Sequence, residues 1–304
     1  MLNHLMFALL PVIFTFALGY FAAAKGSFDD RDSRKLVSLV MNVMLPMSVF
    51  AGIWGTPRKI IIQDIPLAGW LIIGMVGSYF SLLLIHRFIM KTPISVSLLR
   101  AMSVAMPSVP FIGSAILPPV FGASLSAITI GVCSLVINVI MLPVAYALLD
   151  GEKSANGNRV LTTLRKPLVA SALGGFALAL LGWQMPANFA GTFELLGKGA
   201  GGLAIFATGV VLFTKKISVS KTIFATVTSK NIIFPLVVWG LMLLFNLPSE
   251  IRRVVVVTLA IPTAVMPTSL GIQFNVNPAE LASTQFWSTV VSAVSLAIFL
   301  MALS

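Results

Sequence analysis

Two proline-broken apolar segments hold the residues of this sequence that are best placed to bind a ligand. They are Met106-Pro107-Ser108-Val109-Pro110-Phe111 and Ile261-Pro262-Thr263-Ala264-Val265-Met266-Pro267, one in each half of the chain. A proline inside a helix removes a backbone hydrogen bond and clashes with the carbonyl one turn earlier. The freed N–H and C=O groups are tolerated within a membrane only around a cavity or a binding site. The paired breaks therefore predict a transport site where two discontinuous helices meet.

The chemistry that such breaks offer is the binding of an anion. The N-terminus of a half-helix presents free N–H groups and a partial positive charge, which suits a carboxylate. Hydroxyl groups near the prolines add hydrogen-bond donors, although each has the alternative role of satisfying a carbonyl that a proline freed. The predicted substrate-binding residues at the breaks are Pro107, Ser108, Pro110, Thr263, Pro267, Thr268 and Ser269.

Isolated amides in apolar stretches are further candidates. Asn42 precedes a helix-breaking proline by one turn, and we assign it to the substrate site or to an interface between moving parts. Gln285 forms an i, i+3, i+4 stripe with Ser288 and Thr289, which fits a cavity wall but also ordinary helix packing. Asn138 is expected to hydrogen-bond a neighbouring helix.

Lys198 is the basic residue that the apolar pattern places at or inside a membrane segment. It lies in the glycine-dense stretch Leu195-Leu196-Gly197-Lys198-Gly199-Ala200-Gly201-Gly202. As a site residue it attracts or pairs with an anionic substrate. The alternative is that it reaches the membrane interface or pairs with Glu194.

Composition identifies the class of protein in which these residues operate. Apolar residues make up 58% of the 304 residues and charged residues only 10%, and the mean hydropathy is +1.01. These values are typical of a polytopic membrane protein with the lipid bilayer as its surroundings. The basic residues that give the net charge of +11 lie in short segments between apolar stretches, where they set the topology. Nucleic-acid binding is therefore excluded.

Enzymatic, metal and cofactor chemistry lacks the residues it needs. Cys133 is the single cysteine, and His4 and His86 are the only histidines, so no metal site, cofactor or intramembrane protease motif is expected. All nine acidic residues fall in loops or near span ends. A buried carboxylate for a proton relay or a Na⁺ site is therefore missing, which favours uniport, anion exchange or proton symport through the substrate's own ionisation. Backbone carbonyls leave Na⁺ binding open.

Apolar runs of bilayer-spanning length predict an all-α protein of ten transmembrane helices. We place the spans at residues 5–24, 36–54, 66–89, 97–118, 124–149, 167–184, 193–213, 231–246, 252–274 and 280–302. The fourth and ninth spans carry the proline breaks. The eighth is open at its start, because residues 222–229 fit either the span or an interfacial segment.

The distribution of basic residues orients these spans. Fifteen of the 20 Lys and Arg residues fall on one side, which the positive-inside rule makes cytoplasmic, so both termini are expected on the non-cytoplasmic side of the cell (inner) membrane. Basic residues follow the first apolar stretch instead of preceding it, which favours a first span over a cleaved leader.

The two halves of the chain form a predicted 5+5 inverted repeat. A shift of 155 residues superposes Pro107 on Pro262 and Ser108 on Thr263. We assign residues 1–149 to the first five-helix repeat, 150–166 to a cytoplasmic linker and 167–304 to the second repeat. Inverted repeats with discontinuous helices are typical of transporters.

Five motifs, in order along the whole chain, resemble the auxin efflux carrier family of the bile-acid/auxin transporter superfamily. They are Leu18-Gly19-Tyr20-Phe21, Asn42-Val43-Met44-Leu45-Pro46, Met106-Pro107-Ser108, Leu203-Ala204-Ile205-Phe206-Ala207-Thr208-Gly209 and Pro262-Thr263-Ala264-Val265. The resemblance implies a scaffold domain and a transport domain, elevator-like alternating access with the substrate where spans four and nine cross, and a homodimer.

The same resemblance suggests substrates and site residues. Bacterial relatives carry small carboxylates such as malonate, malate or oxalate, and plant members export indole-acetate. Ser108 occupies the position of an asparagine that contacts the carboxylate in plant members, and Met266 matches a position that lines the substrate. We therefore expect a transporter of a small mono- or dicarboxylate. An exporter of an auxin-like aromatic acid and a carboxylate-gated channel or receptor are the alternatives.

Overall fold

Every secondary-structure element of the described chain is a helix, apart from one isolated backbone bridge. A computed structural model describes residues 2–55, 65–151, 164–183 and 185–303, so most of the linker predicted at 150–166 lies outside the described residues. The helices are α1 Leu2–Ala24, α2 Asp30–Trp54, α3 Ile65–Ile89, α4 Ile94–Ala105, α5 109–121, α6 123–151, α7 Pro167–Leu180, α8 Ala187–Gly197, α9 Ala200–Thr214, α10 Lys221–Leu244, α11 Ser249–Ala260, α12 Met266–Phe274 and α13 Pro278–Ala302.

Within the described residues, six stretches of helix are long and apolar enough to cross a membrane. They are α2, α3, most of α6, residues 191–214 across α8 and α9, α10 and α13. The chain is therefore a multi-pass membrane protein, and ten spans in a 5+5 repeat remain a prediction. The open start of the eighth span is resolved, because α10 begins at Lys221 and includes residues 222–229.

Wide π-type turns directly precede a proline in three of the long helices. A proline has no N–H to donate, and its ring clashes with the carbonyl four residues earlier. One additional residue in the preceding turn relieves that clash while the helix continues. The turns are Val40–Met44 before Leu45-Pro46 in α2, Val136–Met141 before Leu142-Pro143 in α6, and Ser229–Ile233 before Phe234-Pro235 in α10. The expectation that Pro46 breaks its helix was wrong, since α2 continues to Trp54.

Helices α1, α2, α7, α8 and α9 pack together as a first bundle. The tightest contact joins α1 and α9, where a Cβ added at Gly19 would overlap the carbonyl oxygen of Phe206, and one added at Gly209 would overlap that of Phe16. Two backbones come this close only where side chains are absent. The first bundle therefore has a rigid seam.

Helices α3, α4, α6, α10, α11 and α13 form a second bundle. An ion pair joins α4 to the first turn of α13, since Arg100 Nε and Nη2 donate to the two carboxylate oxygens of Glu280 at 2.6 and 2.9 Å. Both side chains are largely buried. A bidentate geometry of this kind fixes the relative placement of two helices.

Matching features of the two halves lie 155 residues apart. Helices α4 and α11 have 12 residues each, their first and last residues differ by that offset, and each follows a proline in extended backbone, Pro93 and Pro248. The turn between α8 and α9 contains Lys198, and Val43, 155 residues earlier, lies in the π turn of α2. The boundaries of α4 and α11 thus share this offset, whereas positions 43 and 198 differ, and the 5+5 repeat stays a prediction.

Candidate functional site

The two proline breaks meet in space. Residues 106–108 separate α4 from α5, and residues 261–265 separate α11 from α12. Pro107 and Thr263 form an antiparallel bridge, the one bridge in the described part of the chain. The two broken segments therefore cross each other, and we call this place the crossing.

Backbone groups that the prolines free are satisfied across the crossing. The Ser108 N–H donates to the Pro262 carbonyl, and the Ala264 N–H donates to the Met106 carbonyl, both at 2.9 Å. The hydroxyl of Thr263 donates to the carbonyl of Ser103 in α4. Each broken segment thus supplies hydrogen-bond partners for the other, because buried backbone N–H and C=O groups need partners.

A cavity of about 550 Å³ lies between the two bundles, against the crossing. The first bundle contributes α2 residues such as Ser48 and Ile53 together with Lys198. The second contributes Ser108, residues 264–266 and a face of α6. Because the walls belong to different bundles, a relative displacement of the bundles changes the shape of this cavity.

The N-terminus of α12 and the hydroxyl of Ser108 give the cavity hydrogen-bond donors. Met266 is the first residue of α12 and lines the cavity, and Pro267 follows it in the first turn. The first N–H groups of a helix lack partners within it and carry partial positive charge. Ser108 also lines the cavity and brings a hydroxyl group to the same space.

Lys198 is the one charged side chain among the described residues that line the cavity. It lies in the turn between α8 and α9, which belong to the first bundle. A Cβ at the preceding Gly197 would lie 3.0 Å from the Cα of Ser48, so the absence of a side chain lets this turn approach α2 closely. Positive charge and helix N-terminus therefore face the same space from two bundles.

Asn138 also lines the cavity, which the sequence analysis missed. Its Nδ2 donates to the Ser134 carbonyl of its own helix at 2.8 Å, instead of to a neighbouring helix as expected. Its buried Oδ1 has no partner within the described ranges. Asn42, Asn138 and Asn231 each lie in a π turn four or five residues before a proline, and this spacing is the signal that identifies them together.

Several of the predicted site residues are not among the described residues that line the cavity, and four of them lie away from the two breaks or make other contacts. Asn42 is exposed, and its Nδ2 donates to the Ser38 hydroxyl at 3.1 Å. Thr268 is buried and donates to the Leu281 carbonyl at 3.2 Å. Ser269 and Gln285 are buried, and neither Ser269 Oγ nor Gln285 Oε1 has a partner in the described chain.

The remaining predicted residues belong to the crossing and its surroundings. Pro107 and Thr263 form the bridge itself. The backbone of Pro110 lies in the π turn Val109–Gly113 that begins α5, and its side chain lies outside the described residues. The structure thus brings Ser108, Met266 and Lys198 together at the cavity.

On the buried face of the crossing, formed by residues that are not among the described lining of the cavity, α10 contributes a second polar group of residues. Lys230 is fully buried, and its Nζ donates to the Leu259 carbonyl at 3.0 Å. Asn231 Nδ2 donates to the Ser288 carbonyl at 2.8 Å, and the Ser288 hydroxyl donates to Asn231 Oδ1 at 2.7 Å. The Thr263 N–H completes this network by donating to Ser288 Oγ at 3.1 Å.

Lys230 corrects two expectations from the sequence. The span predicted at 231–246 leaves Lys230 outside the membrane on the cytoplasmic side, and Lys198 is the basic residue predicted at or inside a membrane segment. The lysine had been used as the boundary of the eighth span, but α10 begins nine residues earlier, at Lys221. Lys230 therefore lies about 14 Å along the helix from its start. Charge alone is a poor boundary marker when the charged residue is buried.

Comparisons with known proteins agree on the class of this chain. The sequence profile of a family described as membrane transport protein matches residues 4–300. A protein named "Uncharacterized transporter YfdV" from Escherichia coli (strain K12) is 29% identical over 284 residues, which cover 91% of this chain and 90% of that protein. Proteins of the same name from Escherichia coli O157:H7 and Shigella flexneri match to the same extent.

Proposed function

Because the chain belongs to the membrane transport protein family and is therefore a transporter, we propose that it carries a small organic carboxylate. The substrate is a mono- or dicarboxylate such as malonate, malate or oxalate. It binds in the cavity between the bundles, with its carboxylate at the crossing. The observation that carries this proposal is the placement of Ser108, the α12 N-terminus and Lys198 around one cavity.

The charge balance of the cavity supports an anionic substrate. Its polar groups include the Lys198 ammonium, the hydroxyls of Ser48, Ser108 and Ser134, the Asn138 amide and the N–H groups of the first turn of α12, while no Asp or Glu occurs among the described lining residues. Donors and positive charge that converge on one space stabilise a carboxylate. The same groups would repel a cation.

The size of the cavity supports a small substrate, and its apolar walls leave an aromatic carboxylate as the alternative substrate. About 550 Å³ lies within the range of small-molecule sites. Ile53, Ile130 and Ile137 contribute apolar walls. A dicarboxylate fills the polar end and leaves space, whereas an aromatic acid such as indole-acetate also contacts the apolar walls. The second candidate function is therefore export of an aromatic carboxylate.

The mode of transport that we propose is elevator-like alternating access. The first bundle, with its close α1–α9 seam, is the scaffold, and the bundle with the crossing moves with the substrate. The cavity between the bundles supports this division, because the moving part has to carry the site past a fixed wall. We also propose that the scaffold bundles of two copies form a homodimer.

Counterflow in proteoliposomes tests carrier function and substrate class. Vesicles loaded with malonate, malate, oxalate or indole-acetate receive the same compound in labelled form. A carrier gives saturable uptake that depends on the internal compound, and Lys198→Gln lowers the apparent affinity. The control Lys216→Gln, an exposed residue after α9, behaves as the wild type. Flux that does not saturate would identify a channel and refute alternating access.

Cysteine labelling tests the proposed orientation in the inner membrane. In a Cys133→Ser background, Ser27→Cys between α1 and α2 is expected on the cytoplasmic side, and Asn246→Cys between α10 and α11 on the other. Both native residues are exposed. An impermeant maleimide added to intact spheroplasts should label position 246 alone. Labelling of position 27 alone would reverse the orientation.

A further inference from the structure

Lys230 is a buried basic residue that the cavity does not use. Its side chain is completely shielded from solvent inside α10. Its Nζ donates to the Leu259 carbonyl at 3.0 Å and lies 5.6 Å from the centre of the Phe234 ring. Within the described ranges no carboxylate lies at ion-pair distance from it. A lysine in such surroundings is rare in a membrane segment and marks function more often than packing.

We propose that Lys230 is a proton-binding site coupled to the anion site on the other face of the crossing. Its amine takes up a proton when a carboxylate occupies the cavity and releases that proton when the carboxylate leaves. The proposal deepens the proposed function and rests on it, since it describes how an anion is carried through the membrane together with a proton.

The physical reason is the cost of charge in an apolar interior. An ammonium that has left water loses several kcal/mol of hydration, and a single carbonyl restores only part of this. A carboxylate at the crossing adds a favourable Coulomb interaction, which is strong where water is excluded. Binding of the anion and binding of the proton therefore favour each other, and the coupling is reciprocal.

Two covalent or hydrogen-bonded routes connect Lys230 to the cavity. The first runs through its acceptor, Leu259 in the last turn of α11, and along the broken segment to Ala264, which lines the cavity. The second runs through the next residue, Asn231, to Ser288 and the Thr263 N–H at the crossing. A change in the charge of Lys230 therefore acts on the segment that forms the site.

The other ionisable groups near Lys230 are few. The Cys133 thiol of α6 is buried and interacts electrostatically with it. On the helices packed against α10, Arg100 of α4 is paired with Glu280 of α13. The charged residues of α11 lie in its first two turns, at positions 250, 252 and 253, six or more residues before Leu259. Cys133 is therefore the group that a test must separate from Lys230.

Calorimetry with oxalate tests the proposal on the full-length protein in detergent. Oxalate is a stronger acid than malonate, so at alkaline pH it does not take up the proton itself. Titration in buffers with different heats of ionisation gives the number of protons bound with each oxalate. The wild type and Cys133→Ser should take up about one proton per oxalate, the stoichiometry of a single linked site.

Three substitutions sharpen this experiment. Lys230→Met should abolish the proton uptake and weaken oxalate binding at least tenfold. Lys230→Arg should bind oxalate without proton uptake, because a guanidinium stays protonated. The matched control Lys221→Met, at the exposed start of the same helix, should keep both affinity and uptake.

The outcomes separate this inference from the proposed function. Proton uptake that persists in Lys230→Met, or oxalate binding to the wild type without any uptake, overturns the role of Lys230 and leaves the carboxylate site intact. If neither oxalate, malonate nor malate binds the wild type, both proposals are overturned. Should Lys230→Met fail to fold, the proton count of the wild type and of Lys230→Arg decides the question.

Discussion

The two faces of the crossing differ in how completely their polar groups are satisfied. On the cavity face, the buried Oδ1 of Asn138 has no partner in the described chain, and the Ser108 hydroxyl lines the same cavity. On the buried face, Asn231, Ser288 and the Thr263 N–H hydrogen-bond one another. Both faces use the same kinds of residue, but the cavity face presents its donors and acceptors to a space that a ligand can enter.

This difference shows how one pair of helix breaks serves two purposes. Buried polar groups without partners are costly, so a protein keeps them mainly where a ligand or water completes them. A closed network instead fixes a unique arrangement. The buried face thus holds the broken segments in place, and the cavity face exposes them to the substrate. Substitutions on the two faces should therefore separate stability from binding.

The largest effect is expected on the buried face. Asn231→Leu leaves the Ser288 hydroxyl and carbonyl without the amide that now pairs with both. The variant loses two buried hydrogen bonds, and one of them leaves the Ser288 O–H without an acceptor, which together cost about 2–4 kcal/mol of unfolding free energy. The thermal unfolding midpoint in detergent should fall sharply, and little folded protein should be recovered.

Ser292→Ala is the matched control for this substitution. Ser292 is buried on the same helix, one turn after Ser288, but its hydroxyl donates to the Thr289 carbonyl of its own helix. Its removal should lower the unfolding free energy by at most about 1.5 kcal/mol, the upper end of the net contribution of one hydrogen bond. Equal losses in the two variants would show that the buried face has no special role.

On the cavity face, Ser108→Ala should weaken binding and leave the fold intact. The loss of one hydrogen bond to a charged group costs roughly 1.5–3 kcal/mol, which is about ten- to a hundredfold in affinity. Titration of malonate into folded protein measures this effect. Ser103→Ala serves as the control, because that buried hydroxyl donates to the Leu99 carbonyl of its own helix. Wild-type affinity in Ser108→Ala would move the site towards Lys198.

Asn138→Ala is expected to act on selectivity with a smaller effect. The free Oδ1 of Asn138 accepts a hydrogen bond, which the hydroxyl of malate provides and malonate lacks. One such bond is worth about 1 kcal/mol, so malate affinity should fall about fivefold while malonate affinity stays the same. Competition between the two compounds for binding to wild type and variant measures the ratio. An equal loss for both would refute a role in selectivity.

The sequence predicted the cavity face better than the buried face. Pro107 and Pro262 indicate directly where backbone groups lose their hydrogen bonds. Ser108, Met266 and Lys198 are predicted from the sequence as site residues, and all three line one cavity. The resemblance to the auxin efflux carrier family is confirmed by the profile match over residues 4–300. A helix break is a local property, and local sequence reveals it.

The sequence analysis named Thr263 and Ser288 but did not predict the network of the buried face, because that network depends on contacts between distant residues. Asn231 and Ser288 are 57 positions apart, and Lys230 resembles an ordinary loop lysine until α10 is extended to Lys221. Prolines also act differently in different places. Pro46 follows a π turn and continues its helix, whereas Pro107 lies in a break, and sequence alone does not separate the two outcomes.

The smallest effect on transport is expected from the removal of Na⁺. This expectation again rests on the comparison of the cavity face with the buried face. A Na⁺ site near the crossing needs oxygen ligands and a favourable potential. Among the described residues no Asp or Glu lines the cavity, no cluster of three metal-binding side chains occurs, and the buried face already contains the amino group of Lys230. A protonated Lys230 takes the place of a coupling cation and repels a second one. Replacing Na⁺ by choline should therefore change the initial rate of labelled malonate uptake by less than about twofold, or about 0.4 kcal/mol, whereas a change of external pH should alter it. Strict dependence on Na⁺ would show that carbonyl groups at the breaks bind the cation and that the buried face has no coupling role.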